Sequence, residues 1–255
     1  MNGKVYIITH AENEGPGLMG GFFERLGWEE ASLCLWRGDE LPPDLDSAAG
    51  IVMLGGPMNV YQEKEYPFLK KEDLFIRGVL REEVPFLGIC LGAQLLAKAC
   101  GGLVTKSPEK ERGWYDVQLT EEGRQDKLFR GLGQTLSVFQ WHDDTFAVPD
   151  GGTLLATGRP CRNQAFKMGS CAYGLQFHME VTAAMVRAWS EEEGAAFDAG
   201  RMEGEGAAQR GRFEKQAQRL SENFSRAMES YMRVTKTPGP SAEAEEDGPC
   251  SVAPS

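Results

Sequence analysis

The chain is poor in histidine, in basic charge and in long apolar runs, and each shortage removes a class of function. Its 255 residues hold three histidines, His10, His142 and His178, and six cysteines, none of them in a CxxC pair. Scattered histidines and unpaired cysteines argue against a zinc site, and a chain long enough to bury its own core needs no disulfide framework. Lysine and arginine total 27 against 38 aspartates and glutamates, a net charge of −11, so there is no broad basic footprint for nucleic acid or an anionic membrane. No apolar run approaches the roughly 20 residues that span a bilayer. The amino-terminal apolar stretch, Val5 to Ile8, is too short for the core of a signal peptide. No GxxxxGK[ST] phosphate loop and no glycine-rich dinucleotide fingerprint occurs. The expectation is a soluble, cytoplasmic protein without metal, cofactor, nucleic-acid partner or membrane contact, its oligomeric state open.

What is present is concentrated. Residues 88 to 92 read Gly-Ile-Cys-Leu-Gly at the end of the apolar run Val84, Pro85, Phe86, Leu87, with a helical pattern from Leu91 to Ala99 behind it. A cysteine at such a strand-to-helix turn is held clear of the backbone and beside free amides, and a helix start favours a thiolate over a thiol. Gly88 and Gly92 then keep side chains out of a crowded turn.

Far downstream, Gln176, Phe177, His178, Met179 and Glu180 put an imidazole and a carboxylate two residues apart, following a strand-like stretch. On a strand, residues two apart share a side, so Glu180 is expected to orient His178 as general base for Cys90. Gly55, Gly56 and Pro57 follow the apolar strand Ile51 to Leu54. In an open parallel sheet that turn lies at the same carboxyl edge as the elbow. Amides of Gly56 and Leu91 can there cradle an oxyanion, each worth roughly 3 kcal/mol. His10 ends the first strand and is expected near that edge in a rim or structural role.

These segments carry a resemblance. GGPMNVY from Gly55, PFLGICLGAQLLAKACGG from Pro85, EKERGW from Glu109, VFQWHDDTF from Val138, NQAF from Asn163 and YGLQFHMEVT from Tyr173 together resemble the class I, triad-type glutamine amidotransferases. The likeness is to stand-alone proteins similar to the amidotransferase domain of GMP synthase, and it covers most of residues 1 to about 185. It implies a γ-glutamyl thioester on Cys90, proton transfer by His178 supported by Glu180, and oxyanion donors at Gly56 and Leu91. It also implies substrate contact by Gln94 and by a loop at Trp141, His142 and Asp143. Two positions depart from the family's pattern: Asp143 replaces a glycine, and Met179 a proline. Aspartate is among the residues that tolerate positive φ, so Asp143 is read as taking over the glycine's backbone while adding a carboxylate near the site, one that either attracts a substrate amino group or marks an acyl donor other than free glutamine.

The fold class that follows is α/β, a three-layer open, mainly parallel sheet with antiparallel additions, flavodoxin-like. Strands are expected at Lys4 to Thr9, Ser32 to Trp36 and Ile51 to Leu54, a helix at Gly17 to Leu26 and an amphipathic one over Phe68 to Leu80. From Trp114 onward short strands follow, at Tyr115 to Leu119, Leu136 to Phe139, Thr153 to Ala156, Gln164 to Met168 and Ala172 to Phe177. The domain plan is a catalytic domain at 1–190, a helical extension at 191–236, loose as far as residue 206, and a disordered acidic tail at 237–255.

Three readings follow. The first is a glutamine amidase or amidotransferase component; if its ammonia serves synthesis, a separate synthetase subunit must accept it, because the chain shows no SGGxDS-type loop. The second is a γ-glutamyl peptidase or hydrolase, favoured by that same lack and by Asp143. The third is a noncatalytic binding protein of the same fold, against which the intact triad argues.

Overall fold

A computed structural model describes residues 3–193 and 199–235. The strands are β1 (Lys4–Thr9), β2 (Glu29–Cys34), β3 (Ala48–Met53), β4 (Phe86–Ile89), β5 (Val104–Leu119), β6 (Thr135–Phe146), β7 (Thr153–Thr157), β8 (Asn163–Met168) and β9 (Ala172–Leu175). The helices are α1 (Phe22–Arg25), α2 (Phe68–Arg81), α3 (Leu91–Ala99), α4 (Glu121–Gln125), α5 (Ala183–Glu193) and α6 (Ala199–Thr235). Among the described residues, the nine strands form one sheet in the order β2-β1-β3-β4-β9-β8-β7-β5-β6.

Pairs from β2 to β9 are parallel and those from β9 to β6 antiparallel. The antiparallel part is thus as extensive as the parallel one. The reason is visible in β5 and β6, which are longer than their sequence patterns suggest because polar residues interrupt the alternation. In β6 every second position from His142 to Phe146 is buried, including His142 and Asp144. Polar side chains that pair with one another can occupy such inward positions, which a hydrophobicity pattern does not register.

The sheet is covered on both faces. The apolar stripe of α2, with Leu69, Ile76 and Val79 fully buried, packs with α3 on one face beside Ile51, Met53 and Phe86. On the other face α6 brings Phe213, Leu220, Phe224 and Met228 against Val52, Phe23 and Phe139. Asn223 ties this helix down by donating from Nδ2 to the carbonyls of Leu128 and Arg130 at 2.9 and 2.8 Å. Helix α6 begins at Ala199, inside the stretch expected to be loose. Glycines 200, 204 and 206 weaken the local helical signal. Packing overrides it, since Met202 is buried and a side chain on Gly206 would press within 3.0 Å of the Trp114 ring. The expected acidic tail lies outside the described residues. Among the described residues, no helix is long and apolar enough to cross a membrane.

Candidate active site

Strand β4 and helix α3 meet at Cys90, which has φ 51° and ψ −105°, in the region favoured by glycine. Strained backbone of this kind costs of order 1–3 kcal/mol and persists only where its surroundings over-determine it. Here the Cys90 amide donates to the Leu175 carbonyl at 2.8 Å, and the Cys90 carbonyl accepts from Gln94 N at 3.0 Å. The flanking glycines are sterically required. A side chain on Gly88 would sit 2.5 Å from the Gly92 backbone, and one on Gly92 would sit 2.1 Å from the Met53 carbonyl oxygen. The turn therefore brings β4, α3 and β3 into direct backbone contact and leaves the sulfur at the edge of the sheet.

His178 reaches the same place from β9. It lies beyond the end of that strand, bridged to Phe139 of β6, so the expected reasoning from strand alternation does not apply. The pairing with Glu180 is nonetheless formed: His178 Nδ1 lies 2.6 Å from Glu180 Oε1, and the other carboxylate oxygen accepts from the Met179 amide at 3.0 Å. Both side chains are almost wholly buried. The remaining ring nitrogen, Nε2, closes no hydrogen bond to the protein. Burial disfavours the imidazolium, but the Glu180 carboxylate and the nearby Cys90 sulfur outweigh it and hold the pKa well above the ordinary histidine value. The Trp189 ring meets His178 edge-on at 5.0 Å between centroids and walls it on the outer side.

Cys90 and His178 share a cavity of about 320 Å³ with Gly56, Gln94, Trp141, His142 and Asp143 on its walls. Glu180 and Leu91 stand behind it, Leu91 with its side chain buried and its amide in the first turn of α3. Gln94 Nε2 donates to the Asp144 carbonyl at 3.1 Å. The Trp141 carbonyl is 3.8 Å from the Cys90 sulfur. All nine residues expected at the site are therefore gathered at or directly behind one cavity. A larger cavity, about 410 Å³ between α5 and α6, contains neither nucleophile nor imidazole.

Three local expectations fail. Trp141, His142 and Asp143 lie within strand β6, not in a loop. Asp143 has no positive φ; among the described non-glycine residues only Glu83 and Cys90 do. Its carboxylate is also not free to attract a substrate amine, because Lys110 holds it at 2.7 Å and Arg112 donates to it closely. Those two cations outweigh its partial burial and lower its pKa below the usual aspartate value. His142 has both ring nitrogens engaged, Nδ1 with the Asp144 carbonyl at 2.9 Å and Nε2 with Glu111 at 2.8 Å.

Sequence spacing did not anticipate that Glu111, His142 and Cys161 would converge, with ligand-capable atoms within 4.8 Å of one another. The trio is already satisfied by its own hydrogen bonds, Glu111 also accepting from Gln164 at 2.9 Å and Cys161 pairing with Thr145 at 2.9 Å. Glu14 was also missed. It stands on the cavity wall, close enough to Gly55 that a side chain there would meet its Oε2 at 2.3 Å. Burial raises its pKa to about 7, against the pull of His178 and His10. No periodicity or motif marks these positions, because their partners are remote in sequence.

A strained cysteine at a strand-to-helix elbow, facing an imidazole backed by a carboxylate, is the arrangement of a cysteine-dependent, amide-handling enzyme. The family described as glutamine amidotransferase class-I matches residues 34–187, and the chain belongs to it. It is 33% identical over 186 residues to the glutamine amidotransferase-like protein YfeJ of Salmonella typhimurium, covering 72% of this chain and 78% of that one. It is 34% identical over 145 residues to the glutamine-hydrolyzing GMP synthase of Porphyromonas gingivalis, covering 56% of this chain. The chain spans only about a quarter, 27%, of that longer protein. Among solved structures, a glutamine amidotransferase of Thermotoga maritima superposes with a TM-score of 0.81 at 36% identity, covering 88% of this chain and 98% of that one.

Proposed function

We propose that the protein hydrolyses the γ-amide of glutamine to glutamate and ammonia through a γ-glutamyl thioester on Cys90. Membership of the class I glutamine amidotransferases supports amide chemistry on glutamine in general. The observation that carries the particular mechanism is the uncommitted Nε2 of His178, buried against the cavity that holds Cys90 while Nδ1 is fixed on Glu180. In this reading Cys90 attacks the amide carbon as the thiolate, its proton already carried by His178 Nε2 on the ring that Glu180 keeps charged. The oxyanion is met by the amides of Gly56 and Leu91. His178 then donates its proton to the departing nitrogen, which leaves as ammonia, and the thioester remains. Water, deprotonated by the same nitrogen, attacks the thioester carbonyl, and collapse expels the Cys90 thiolate beside the recharged ring and frees glutamate. Glu180 holds the ring and stabilises its charged form. Gln94, Trp141 and the β6 edge at His142 and Asp143 form the substrate wall.

A separate synthetase that accepts the ammonia belongs to this reading, as does a catalytic unit at 1–190 with 191–236 as a helical extension. The γ-glutamyl hydrolase alternative loses one of its two supports, since Asp143 is held by Lys110 and Arg112. The test is glutamate and ammonia release by the purified chain and by Cys90→Ala, on glutamine and on γ-glutamyl dipeptides in parallel. Cys90-dependent ammonia from glutamine is the expected result. Glutamate released only from the dipeptides would overturn the glutamine assignment.

A further inference from the structure

His10, expected in a rim or structural role, sits behind the Gly55–Gly56 peptide. Its Nδ1 lies 2.8 Å from the Gly55 carbonyl oxygen and its Nε2 lies 2.7 Å from Glu72 Oε1. His10 and Glu72 are fully buried, His10 at the end of β1 and Glu72 on the inner face of α2. A carbonyl can only accept, so Nδ1 carries a proton. Burial opposes a charge on the ring, but Glu72's charge and hydrogen bond, with the Gly55 carbonyl, outweigh it and raise the His10 pKa above the ordinary value. The ring is thus a fixed double donor between a carboxylate and one peptide oxygen.

That peptide is the one whose N–H belongs to Gly56. In a trans peptide the C=O and N–H point in opposite directions. Anchoring the Gly55 oxygen on His10 therefore turns the Gly56 N–H the other way. Among the described residues no backbone carbonyl accepts from that N–H. The loop has no slack, because a side chain on Gly56 would meet Leu91 Cδ2 at 2.8 Å and the His10 Cβ at 2.9 Å. A cationic donor on a peptide oxygen also polarises the N–H at the other end, as hydrogen bonds in series do.

We propose that the buried His10–Glu72 pair is a positioning device for the oxyanion pocket, holding the Gly55 carbonyl so that the Gly56 amide is aimed at the oxygen of the substrate carbonyl under attack by Cys90. This rests on the thioester reading above. The pair touches neither substrate nor sulfur; it acts through one peptide.

Two substitutions separate positioning from general support. His10→Asn keeps an N–H donor near the Nδ1 position and so near the Gly55 oxygen. His10→Gln carries its amide out toward Glu72 and leaves Gly55 unpaired. Three rates are read on the full chain: turnover of glutamine, acylation of Cys90 by p-nitrophenyl acetate followed as nitrophenolate release, and alkylation of Cys90 by iodoacetamide. Acylation develops an oxyanion without needing γ-glutamyl recognition. Alkylation displaces iodide at a saturated carbon and develops none.

For His10→Gln the expected result is a fall of about ten- to a hundredfold in kcat and in the acylation rate, smaller than outright loss of an oxyanion donor. KM and the alkylation rate stay unchanged, and His10→Asn recovers most of the loss. Wild-type acylation in His10→Gln would overturn the proposal. So would a parallel fall in alkylation with no recovery in the asparagine variant, which is the signature of a merely structural residue. If the wild-type chain is acylated by the ester yet releases nothing from glutamine, the substrate reading fails and the ester rates alone decide the inference. An ester that does not acylate wild-type Cys90 would count against an assembled pocket and would overturn it.

Discussion

The cavity and the frame behind it are built from the same pair of residue types and put them to opposite uses. Each of the three histidines is buried beside a glutamate: His178 with Glu180, His142 with Glu111, His10 with Glu72. In the frame both nitrogens are committed, those of His142 to Glu111 and the Asp144 carbonyl, those of His10 to Glu72 and the Gly55 carbonyl. At the cavity one nitrogen is fixed and the other closes no hydrogen bond. An imidazole with both nitrogens committed holds backbone in place. One with an uncommitted nitrogen beside a thiol can move a proton. What separates general base from strut is therefore the second nitrogen.

The largest effect that tests this contrast is on rate. Cys90→Ala is expected to reduce amide hydrolysis by about 10⁴-fold or more, and Glu180→Gln by about 10²- to 10⁴-fold, as for loss of a nucleophile and of the group orienting its base. Steady-state kinetics with the fold monitored by circular dichroism checks both. A Glu180→Gln variant with wild-type kcat would erase the distinction.

In the frame the corresponding effect is expected on stability. Glu111→Ala leaves His142 buried without its carboxylate and Gln164 Nε2 with only the Cys161 carbonyl to accept from it. Breaking a buried pair from one side typically costs about 3–5 kcal/mol, roughly 10 °C in Tm for a domain of this size. Calorimetry on Glu111→Ala and Glu180→Gln side by side should show the first melting well below the second, reversing their order in activity. An undiminished Tm for Glu111→Ala would show that the frame pair is not structural.

The same contrast explains what was readable beforehand. Elements made by local apolar pattern were found at or near their bounds: β1 at Lys4–Thr9, α3 at Leu91–Ala99, and α2, whose stripe from Phe68 to Leu80 is a plain helical face. The triad was readable because the Cys90 elbow is contiguous and Glu180 lies two residues from His178. Glu111 and Glu72 are 31 and 62 residues from their histidines, and only strand pairing or helix docking brings them together. Asp143 failed for a related reason. Its extended conformation comes from its place in β6, between the paired His142 and Asp144 and opposite the register shift of β5, and its charge is held by Lys110 and Arg112 on that neighbouring strand.

A moderate effect is expected from pH. The folded-state pKa values of His10 and His178 are both raised. Such groups contribute stability that is fully present below the unfolded value near 6.5 and is lost as pH rises through the folded values. Tm should therefore fall between pH 6 and the alkaline side. His10→Gln, which removes one of the two groups, should flatten that slope. A Tm rising through this range would contradict the charged assignment of both rings.

The smallest effect concerns Glu14, the acid on the cavity wall. Its folded pKa is about 7, pushed up chiefly by burial, against about 4.3 for an unperturbed glutamate. A carboxyl with a raised folded pKa favours its neutral form, so it costs nothing below the unfolded value and weighs against folding increasingly as pH rises toward 7 and beyond. Replacing it with a neutral amide removes that cost. Glu14→Gln should therefore match the wild type in Tm near pH 4 and exceed it by a small margin at pH 8. The half-buried side chain still reaches water, which keeps the gain well below that of a sealed site. Differential scanning fluorimetry of the two proteins across pH 4 to 8 measures the gap. A gap that fails to widen with pH would place the Glu14 carboxylate in contact with a cation, and the cavity would then be neutralised on both walls, at Glu14 as it already is at Asp143.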